Sequence, residues 1–391
     1  MQHQETRVYG LQFWLLCLSS FLFFASFNMI IPELPNYLTS LGGEAYKGLI
    51  ISLFTLTAGL SRPFSGQLAD KVGRIPVMVV GGAVCIVCGF LYPITGSVAA
   101  FLLLRFVHGF STGFTPTGTA AYVADIIPVH RRGEATGLLG LAGSLGMAAG
   151  PALGGAIANQ FSLNTMFYTS SLAAFLSVAV VARMQETVQD THRFRMGLLR
   201  IARSELFEPR VLPPSVVLFF TVFSFGTILT VVPDFSEFLG IKNKGLFFMS
   251  FTLSSLAIRF IAGRVSDKYG RVNVLRISTL VLVLAMVAVG FSTSLSGLML
   301  AGVLFGIGQG MNSPTVFAWT IDLSHEAHRG RAMATMYIAL EAGIGIGALC
   351  SGWLYNNNPD NFRLVFWTGA AVVMVSFLYL LLFVKARSHK F

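Results

Sequence analysis

Long apolar runs separated by short polar intervals dominate this chain. Each of twelve runs is long enough for a membrane-spanning helix, which needs about 20 residues. The longest polar interval, 184–214, separates the sixth run from the seventh. The pattern predicts an all-α membrane protein with 12 transmembrane helices in two six-helix bundles, 1–183 and 215–391, joined by a linker at 184–214. We place the spans near 11–38, 46–69, 75–95, 98–124, 134–158, 163–183, 215–239, 245–266, 273–293, 296–321, 332–355 and 363–384.

The two halves of the chain repeat each other. The segment 62–74 reads RPFSGQLADKVGR and aligns with 259–271, which reads RFIAGRVSDKYGR, at an offset of 197 residues. The same offset relates Asp125 to Asp322 and Gly146 to Gly343. Two parallel six-helix repeats indicate pseudo-symmetric bundles of the kind found in transporters, with a site between them near the midplane.

Composition and charge exclude other classes of protein. Of the 391 residues, 54% are hydrophobic and 11% are charged, whereas a soluble domain has roughly 25% charged residues. The net charge of +10 comes from residues in short loops, with no nucleic-acid fold motif, so we expect no nucleic-acid partner. The four cysteines lie in apolar runs, which favours packing over redox or metal chemistry.

The basic residues also predict an orientation. Twenty of the 27 lysines and arginines fall on the side of the membrane that holds both termini and the 184–214 interval, four fall on the other side, and three (Arg62, Arg105 and Arg259) lie well inside spans. The positive-inside rule then places both termini in the cytoplasm of a multi-pass protein in the cell (inner) membrane. A basic segment at 196–203 is expected to lie as an amphipathic helix on the cytoplasmic leaflet.

Three motifs resemble those of the major facilitator superfamily. The sequence GQLADKVGR at 66–74 resembles its loop signature after the second span, RFVHG at 105–109 its fourth-span motif, and GMAAGPALGG at 146–155 the fifth-span signature of its twelve-helix drug:proton antiporters. One departure is Asn28, where the family often has an acid. The resemblance covers the whole chain and implies a carrier fold.

The loop signature is predicted to form latches between helices. Arg74 needs a partner, and Asp125 has the right depth; Arg271 and Asp322 repeat this arrangement. The alternative is a set of ordinary interfacial charges that reach water. The latch residues are Gly66, Asp70, Gly73, Arg74, Asp125, Asp267, Arg271 and Asp322.

The fifth-span motif predicts close helix packing. Gly146, Gly150 and Gly154 are spaced at i, i+4 and i+8, which lets two helix backbones approach each other. Pro151 removes one backbone hydrogen bond and is expected to kink the helix. We expect this motif to control how the two halves seal or rock.

Charges inside spans are costly and indicate function. The resemblance implies that the second and eleventh spans are neighbours, so Glu341 and Arg62 could pair. It implies the same for the first and fourth spans, so Glu33 and Arg105 could also meet, with His108 one turn beyond Arg105. We assign these five residues to proton coupling, because an acid beside an arginine changes its proton affinity when the pair breaks. Alternatives are a structural ion pair for Glu341, an interfacial acid for Glu33, a backbone-carbonyl clamp for Arg105 and a histidine satisfied by helix contacts.

The resemblance also implies a central cavity lined by spans one, four, seven and ten. Its aromatic, sparsely polar walls suit a lipophilic or amphipathic ligand. Nearer the outer mouth, Asp234 and Glu237 are expected to be solvated rim acids rather than gates. The predicted cavity residues are Phe24, Asn28, Phe223, Thr227, Gln309, Asn312 and Trp319.

Together, these features predict a monomeric carrier that exports a small lipophilic or amphipathic molecule in exchange for protons. The proton gradient is the expected energy source, with no cofactor and no metal. A metabolite, sugar, siderophore or lipid carrier remains an alternative, as does an importer or uniporter on the same fold. A membrane-embedded enzyme or a receptor is the least favoured alternative.

Overall fold

A computed structural model of the protein describes residues 9–128, 131–189, 191–195, 207–324 and 329–384. These residues form helices and turns but no β-strand. Twelve long helices account for most of them: α1 Leu11–Ile30, α2 Lys47–Lys71, α3 Arg74–Leu91, α4 Val98–Ile126, α5 Arg132–Gln160, α6 Leu163–Val181, α7 Leu212–Phe238, α8 Gly245–Tyr269, α9 Arg271–Phe291, α10 Leu295–Leu323, α11 Arg329–Tyr355 and α12 Phe362–Leu382.

Eleven helices in the described part of the chain are long and apolar enough to cross a membrane. The remaining long helix is α2, which is less apolar because it carries Lys47, Arg62 and Asp70. The first span continues beyond α1 through a 3-10 turn, Ile31–Glu33, and a short helix, Leu34–Ser40. The twelve helices agree with the twelve predicted spans.

The helix ends repeat between the halves as the sequence does. Ser97 accepts a hydrogen bond from the Ala100 N–H at the start of α4, and Ser294 accepts one from the Gly297 N–H at the start of α10. Such caps satisfy backbone donors that have no partner within the helix. The sharp turn between α2 and α3 requires Gly73, whose φ is +133°, a value that side chains disfavour.

The helices form two bundles with the same pattern of packing. In the N-terminal half, α1–α6, the main contacts are α1 with α5 and α6, α2 with α4, and α3 with α4 and α6. In the C-terminal half, α7–α12, they are α7 with α11 and α12, α8 with α10, and α9 with α10 and α12. Between the halves, α2 packs on α11 and α5 packs on α8.

We call the end of the molecule where α1 begins and α12 ends the terminal end, and the opposite end the far end. The described residues just after α6 lie at the terminal end of the N-terminal half. The backbone N–H of His192 donates to the Lys71 carbonyl at 2.8 Å, and the Thr187 hydroxyl donates to Asp125 at 2.6 Å. The predicted amphipathic segment 196–203 lies outside the described residues.

Candidate functional site

Arg62 and Glu341 meet between the two halves, as the sequence predicts. Arg62 donates to Glu341 Oε1 from Nη2 at 2.7 Å and from Nε at 3.2 Å. The side chains are 21% and 9% exposed, and the Arg62 guanidinium lies 4.4 Å from the centroid of the Tyr337 ring. Glu341 lies in the middle of α11, so this charge pair is deep in the membrane.

Small residues bring α2 and α11 close enough for this pair. A Cβ atom added to Gly59 would lie 3.2 Å from the Cβ of Glu341, and one added to Gly345 would lie 2.7 Å from the Thr55 hydroxyl oxygen. Neither position leaves room for a larger side chain without a shift of the opposite helix. The pair is therefore held in a tight seam between the halves.

The corresponding place in the second repeat has a different chemistry. Arg259, the counterpart of Arg62, is exposed in α8 and makes no hydrogen bond or ion pair with any described residue. Ser144 stands where Glu341 stands in the other half. From the repeat alone, Arg259 would be expected to form an ion pair as Arg62 does. The structure instead shows no ion-pair partner for Arg259 in the described part of the chain.

The predicted pair between Glu33 and Arg105 is wrong. Glu33 is buried and its Oε2 lies 3.6 Å from the Nζ of Lys244, at the start of α8. Glu33 ends the 3-10 turn Ile31–Glu33, which contains Pro32 and follows α1. This turn directs the carboxylate toward the other half instead of toward α4.

Arg105 is instead a clamp between helices of the N-terminal half. It is 1% exposed; its Nε donates to the Ile50 carbonyl at 2.9 Å, and Nη1 lies 3.4 Å from the Tyr92 hydroxyl. The guanidinium also lies 4.6 Å from the Phe54 ring centroid. These contacts match the backbone-carbonyl clamp that the sequence left as the alternative.

His108 is buried one turn beyond Arg105 on α4. Its Nδ1 lies 3.1 Å from the Tyr92 hydroxyl, and its Nε2 lies 3.3 Å from the Cys85 sulfur. These are the two hydrogen-bond partners of the imidazole in the described structure, and neither is an acid. The geometry matches a histidine satisfied by helix contacts, so the earlier assignment of His108 to proton coupling has no support from its surroundings.

Two ion pairs at the far end join the halves, and the sequence reasoning missed both. Lys47 at the start of α2 pairs with Asp234 of α7, and Lys244 at the start of α8 pairs with Glu33 of the first span. The two lysines are 197 residues apart, so the repeat could have revealed them. Asp234 is buried, contrary to the predicted solvated rim acid, whereas Glu237 is 56% exposed and bonds Lys244 at 2.9 Å.

Amide side chains add to the far-end seal. Asn159 donates to the Lys242 carbonyl at 2.8 Å, Asn243 to the Ala152 carbonyl at 3.1 Å, and Asn357 to the Glu44 carbonyl at 2.9 Å. Every inter-half hydrogen bond or ion pair that the structure records between described residues lies at the far end or at the depth of Glu341. The halves are therefore joined at the far end.

Both predicted latch pairs are formed in the structure, and each pair joins two helices of the same half. Arg74 Nε lies 3.0 Å from Asp125 Oδ2, and Arg271 Nε lies 2.9 Å from Asp322 Oδ2. The same arginines contact the acids one turn earlier, Asp70 and Asp267. A latch between two helices of one half cannot by itself hold the two halves together.

Two details of the loop signature differ from expectation. A Cβ added to Gly66 would meet no atom within 4 Å, so no close helix contact requires this glycine in the described structure. Glu186, which the sequence reasoning did not single out, accepts hydrogen bonds at 3.0 Å from the backbone N–H groups of Arg74 and Ile75. Its carboxylate thus caps the start of α3, where the helix dipole favours negative charge.

The fifth-span glycines pack α5 against α1 in the same half. Cβ atoms at Gly146, Gly150 and Gly154 would collide with backbone atoms of α1. Pro151, in contrast, contacts α8 of the other half. A Cβ added to Gly245 of α8 would collide with the Pro151 carbonyl. The motif therefore contacts both a neighbour in its own half and the opposite half.

Most of the predicted cavity residues are packed in this state. Asn312 is buried, accepts a hydrogen bond from Thr221 at 3.2 Å and lies 3.4 Å from the Ser278 hydroxyl. Gln309 is 8% exposed, and its Nε2 has no hydrogen-bond partner among the residues that the structure describes. The residues buried in the described structure are Asn28, Phe223, Thr227, Gln309, Asn312 and Trp319, whereas Phe24 is half-buried.

Comparison with known proteins decides the family. The family model described as Major Facilitator Superfamily matches residues 16–258 and 215–391. The chain belongs to the Major Facilitator Superfamily. It is 28% identical over 377 residues to the multi-drug resistance efflux pump PmrA of Streptococcus pneumoniae, covering 92% of both chains. It is 26% identical over 380 residues to the multidrug resistance protein MdtG of Salmonella schwarzengrund, covering 94% of this chain and 93% of the relative.

Solved structures show the same fold. One is the xylose transporter XylE from E. coli in its inward open conformation, which matches this chain with a TM-score of 0.76 and 14% identity. The match covers 97% of each chain. The human organic anion transporter MFSD10 covers 97% with a TM-score of 0.72 and 20% identity, and 100% of that chain is matched. Family and relatives identify a multi-pass membrane transporter and not an enzyme.

Proposed function

We propose that this chain is a proton-coupled exporter of small lipophilic or amphipathic molecules. In this proposal it works as a monomer in the cell membrane by alternating access, with no cofactor beyond the proton gradient. The names of the two relatives, a multi-drug efflux pump and a multidrug resistance protein, support export of such cargo. The ion pair between Arg62 and Glu341 supports proton coupling, because it joins the halves at mid-membrane depth.

The chemistry of that pair explains how a proton could move the halves. Protonation of Glu341 would remove the negative charge that attracts Arg62, and the helix contact between α2 and α11 would weaken. A charge at this depth is tolerated only when it is paired or hydrated. One proton could therefore shift the balance between two arrangements of the halves. We assign Glu33 a second role, as a proton site reached from outside when the far end opens.

The orientation completes the proposal. We propose that both termini and the linker 184–214 are cytoplasmic, as the charge distribution along the sequence indicates. The far end, sealed by Lys47–Asp234 and Lys244–Glu33, would then face outward, and the described state would open inward. Labelling of single cysteines placed in the linker of intact cells tests this orientation. Labelling of the linker from outside would overturn it.

Transport in proteoliposomes tests the coupling. Purified protein is reconstituted with an imposed pH gradient, and accumulation of ethidium is followed with and without the gradient. We expect Glu341→Gln to abolish gradient-driven accumulation while exchange between two ethidium pools persists, because Gln resembles the protonated acid. The matched control is Glu134→Gln, which changes an exposed acid at the terminal end. Wild-type pH dependence in Glu341→Gln would show that Glu341 does not carry the coupling proton.

A further inference from the structure

The contact between α5 and α8 holds an arginine that faces the gap between the halves. Near the far end the two helices touch, because a Cβ added to Gly245 of α8 would collide with the Pro151 carbonyl oxygen of α5. Arg259 follows Gly245 by 14 residues, which is close to four helical turns. Arg259 therefore projects from the same face of α8 as Gly245, toward α5.

The face of α5 opposite Arg259 carries no acid. Pro151 marks this face, and Ser144, Gly140 and Gly137 lie about two, three and four turns before it. Ser144 is 6% exposed, and its hydroxyl makes no hydrogen bond with a described residue. The α5–α8 contact thus has a cation and a buried hydroxyl, but no counter-charge within the described part of the chain.

Glycines leave space beside Arg259. A Cβ added to Gly140 of α5 or to Gly263 of α8, one turn beyond Arg259, would meet no atom within 4 Å. On the α2–α11 side, Tyr337 stands in the place of Gly140 and packs on Arg62. Between described residues, the hydrogen bonds and ion pairs that join the halves lie at this depth or nearer the far end. The space beside Arg259 is therefore open toward the terminal end.

We propose that Arg259 and Ser144 bind the carboxylate of an amphipathic organic acid. A guanidinium forms two parallel hydrogen bonds with a carboxylate, and the Ser144 hydroxyl supplies a further donor. A charge inside the membrane needs a partner or water, and a ligand that enters from the terminal end supplies the partner. A phosphate with two charges fits less well, because more charge must lose its water at this depth. The inference rests on the proposed export function and assigns one class of cargo to it.

Binding of dansylaminoundecanoic acid, a fluorescent amphipathic carboxylate, tests this site in protein held in phosphatidylcholine nanodiscs, with empty nanodiscs as the background. Arg259→Gln should weaken binding roughly tenfold or more, because the charged donor is lost. The matched control is Arg264→Gln, since Arg264 is an exposed arginine on another face of α8; it should bind the acid as the wild type does. Thermal unfolding verifies that each variant is folded, and Arg259→Gln should unfold at the wild-type temperature or above.

A second variant copies the chemistry of the α2–α11 side. Ser144→Glu places an acid where Glu341 stands in the other half, so the new carboxylate should neutralise Arg259 and exclude the ligand. Binding of the acid should fall as it does in Arg259→Gln, without a loss of thermal stability. The methyl ester of the ligand has no charge, so it should bind weakly and equally to the wild type and to both variants.

The possible outcomes separate the site from the export function. Equal affinity of the wild type, Arg259→Gln and Ser144→Glu for the acid would overturn the site. Binding to the wild type that disappears when the nanodiscs contain phosphatidylglycerol would show that Arg259 holds an anionic lipid headgroup, which would overturn an organic acid as its ligand. Binding that depends on Arg259 without gradient-driven transport of the acid would refute export of such acids and leave the binding site intact. Ethidium transport by the wild type tests the export function separately.

Discussion

At the scale of single residues, three intramembrane charges have three different environments. Glu341 is neutralised by Arg62 across the halves. Arg105 is surrounded by a carbonyl, a hydroxyl and an aromatic ring of its own half. Arg259 is exposed and has no partner among the described residues. Of these three environments, only the first joins the two halves.

Arg105 is expected to support stability and not proton coupling. Arg105→Met keeps most of the side-chain volume but leaves the Ile50 carbonyl without its donor, so unfolding should become easier by about 1.5–3 kcal/mol, the range for hydrogen bonds to charged groups. The pH dependence of transport should stay at the wild-type value. Thermal unfolding in detergent and transport across a pH series measure both quantities.

Arg363→Met provides the comparison, because Arg363 is an exposed arginine at the start of α12. It should unfold at nearly the wild-type temperature. If Arg105→Met were as stable as this control but changed the pH dependence of transport, then Arg105 would belong to the proton pathway and the clamp interpretation would fail.

At the scale of helices, glycine spacing decides which pairs of helices touch. On α5, Gly150 faces α1: an added Cβ would lie 2.6 Å from the Ala25 carbonyl oxygen and 3.1 Å from the Met29 nitrogen. Gly140 on the same helix has no atom within 4 Å of such a Cβ. The two glycines have the same intrinsic helix propensity, so their difference isolates the packing.

Gly150→Ala is therefore expected to destabilise the protein by about 1–3 kcal/mol, the usual cost of inserting atoms into a packed contact. Gly140→Ala should be neutral or stabilising by up to about 1 kcal/mol, because alanine favours helices. Thermal unfolding of the two variants measures the difference. Equal unfolding temperatures would show that α1 can retreat from α5 without cost.

The sequence predicted the helices and the repeat well, because both follow from hydrophobic runs and from local turn chemistry. The offset of 197 residues correctly anticipated the paired environments of Arg74 and Arg271. The offset could not give the partner of Glu33, because the 3-10 turn Ile31–Glu33 decides where that carboxylate points. Nor could it say which face of α11 lies outside the core, since hydrophobic residues are spread around the whole helix.

At the scale of the whole molecule, the pseudo-two-fold symmetry is kept at the far end and broken at mid-depth. The far end has two equivalent lysine–acid pairs. At mid-depth there is a charge pair between α2 and α11, whereas Arg259, the repeat counterpart of Arg62, has no ion-pair partner among the described residues and Ser144 replaces the acid. Two equivalent ion pairs at the far end are what a gate formed equally by both halves would need.

The far-end pairs should control how often the molecule opens on that side. Removing the Lys244 ammonium leaves Glu33 buried without its partner, which costs about 1–3 kcal/mol or more in the closed state. Because about 1.4 kcal/mol corresponds to a factor of ten in an equilibrium, Lys244→Ala should raise the open population roughly tenfold. Maleimide labelling of Ser236→Cys, at a position that is buried in α7 near the far end, should accelerate by the same factor in a background without other cysteines.

Lys242→Ala is the matched control for charge, because Lys242 lies two residues away and is exposed. It removes one positive charge from the same end without leaving a buried acid unpaired, so labelling should remain at the wild-type rate. The pseudo-symmetric variant Lys47→Ala should behave like Lys244→Ala, since Asp234 is then left in the position of Glu33. Equal labelling rates for the buried and exposed lysine variants would mean that the far end is held by packing of its helices and not by its ion pairs.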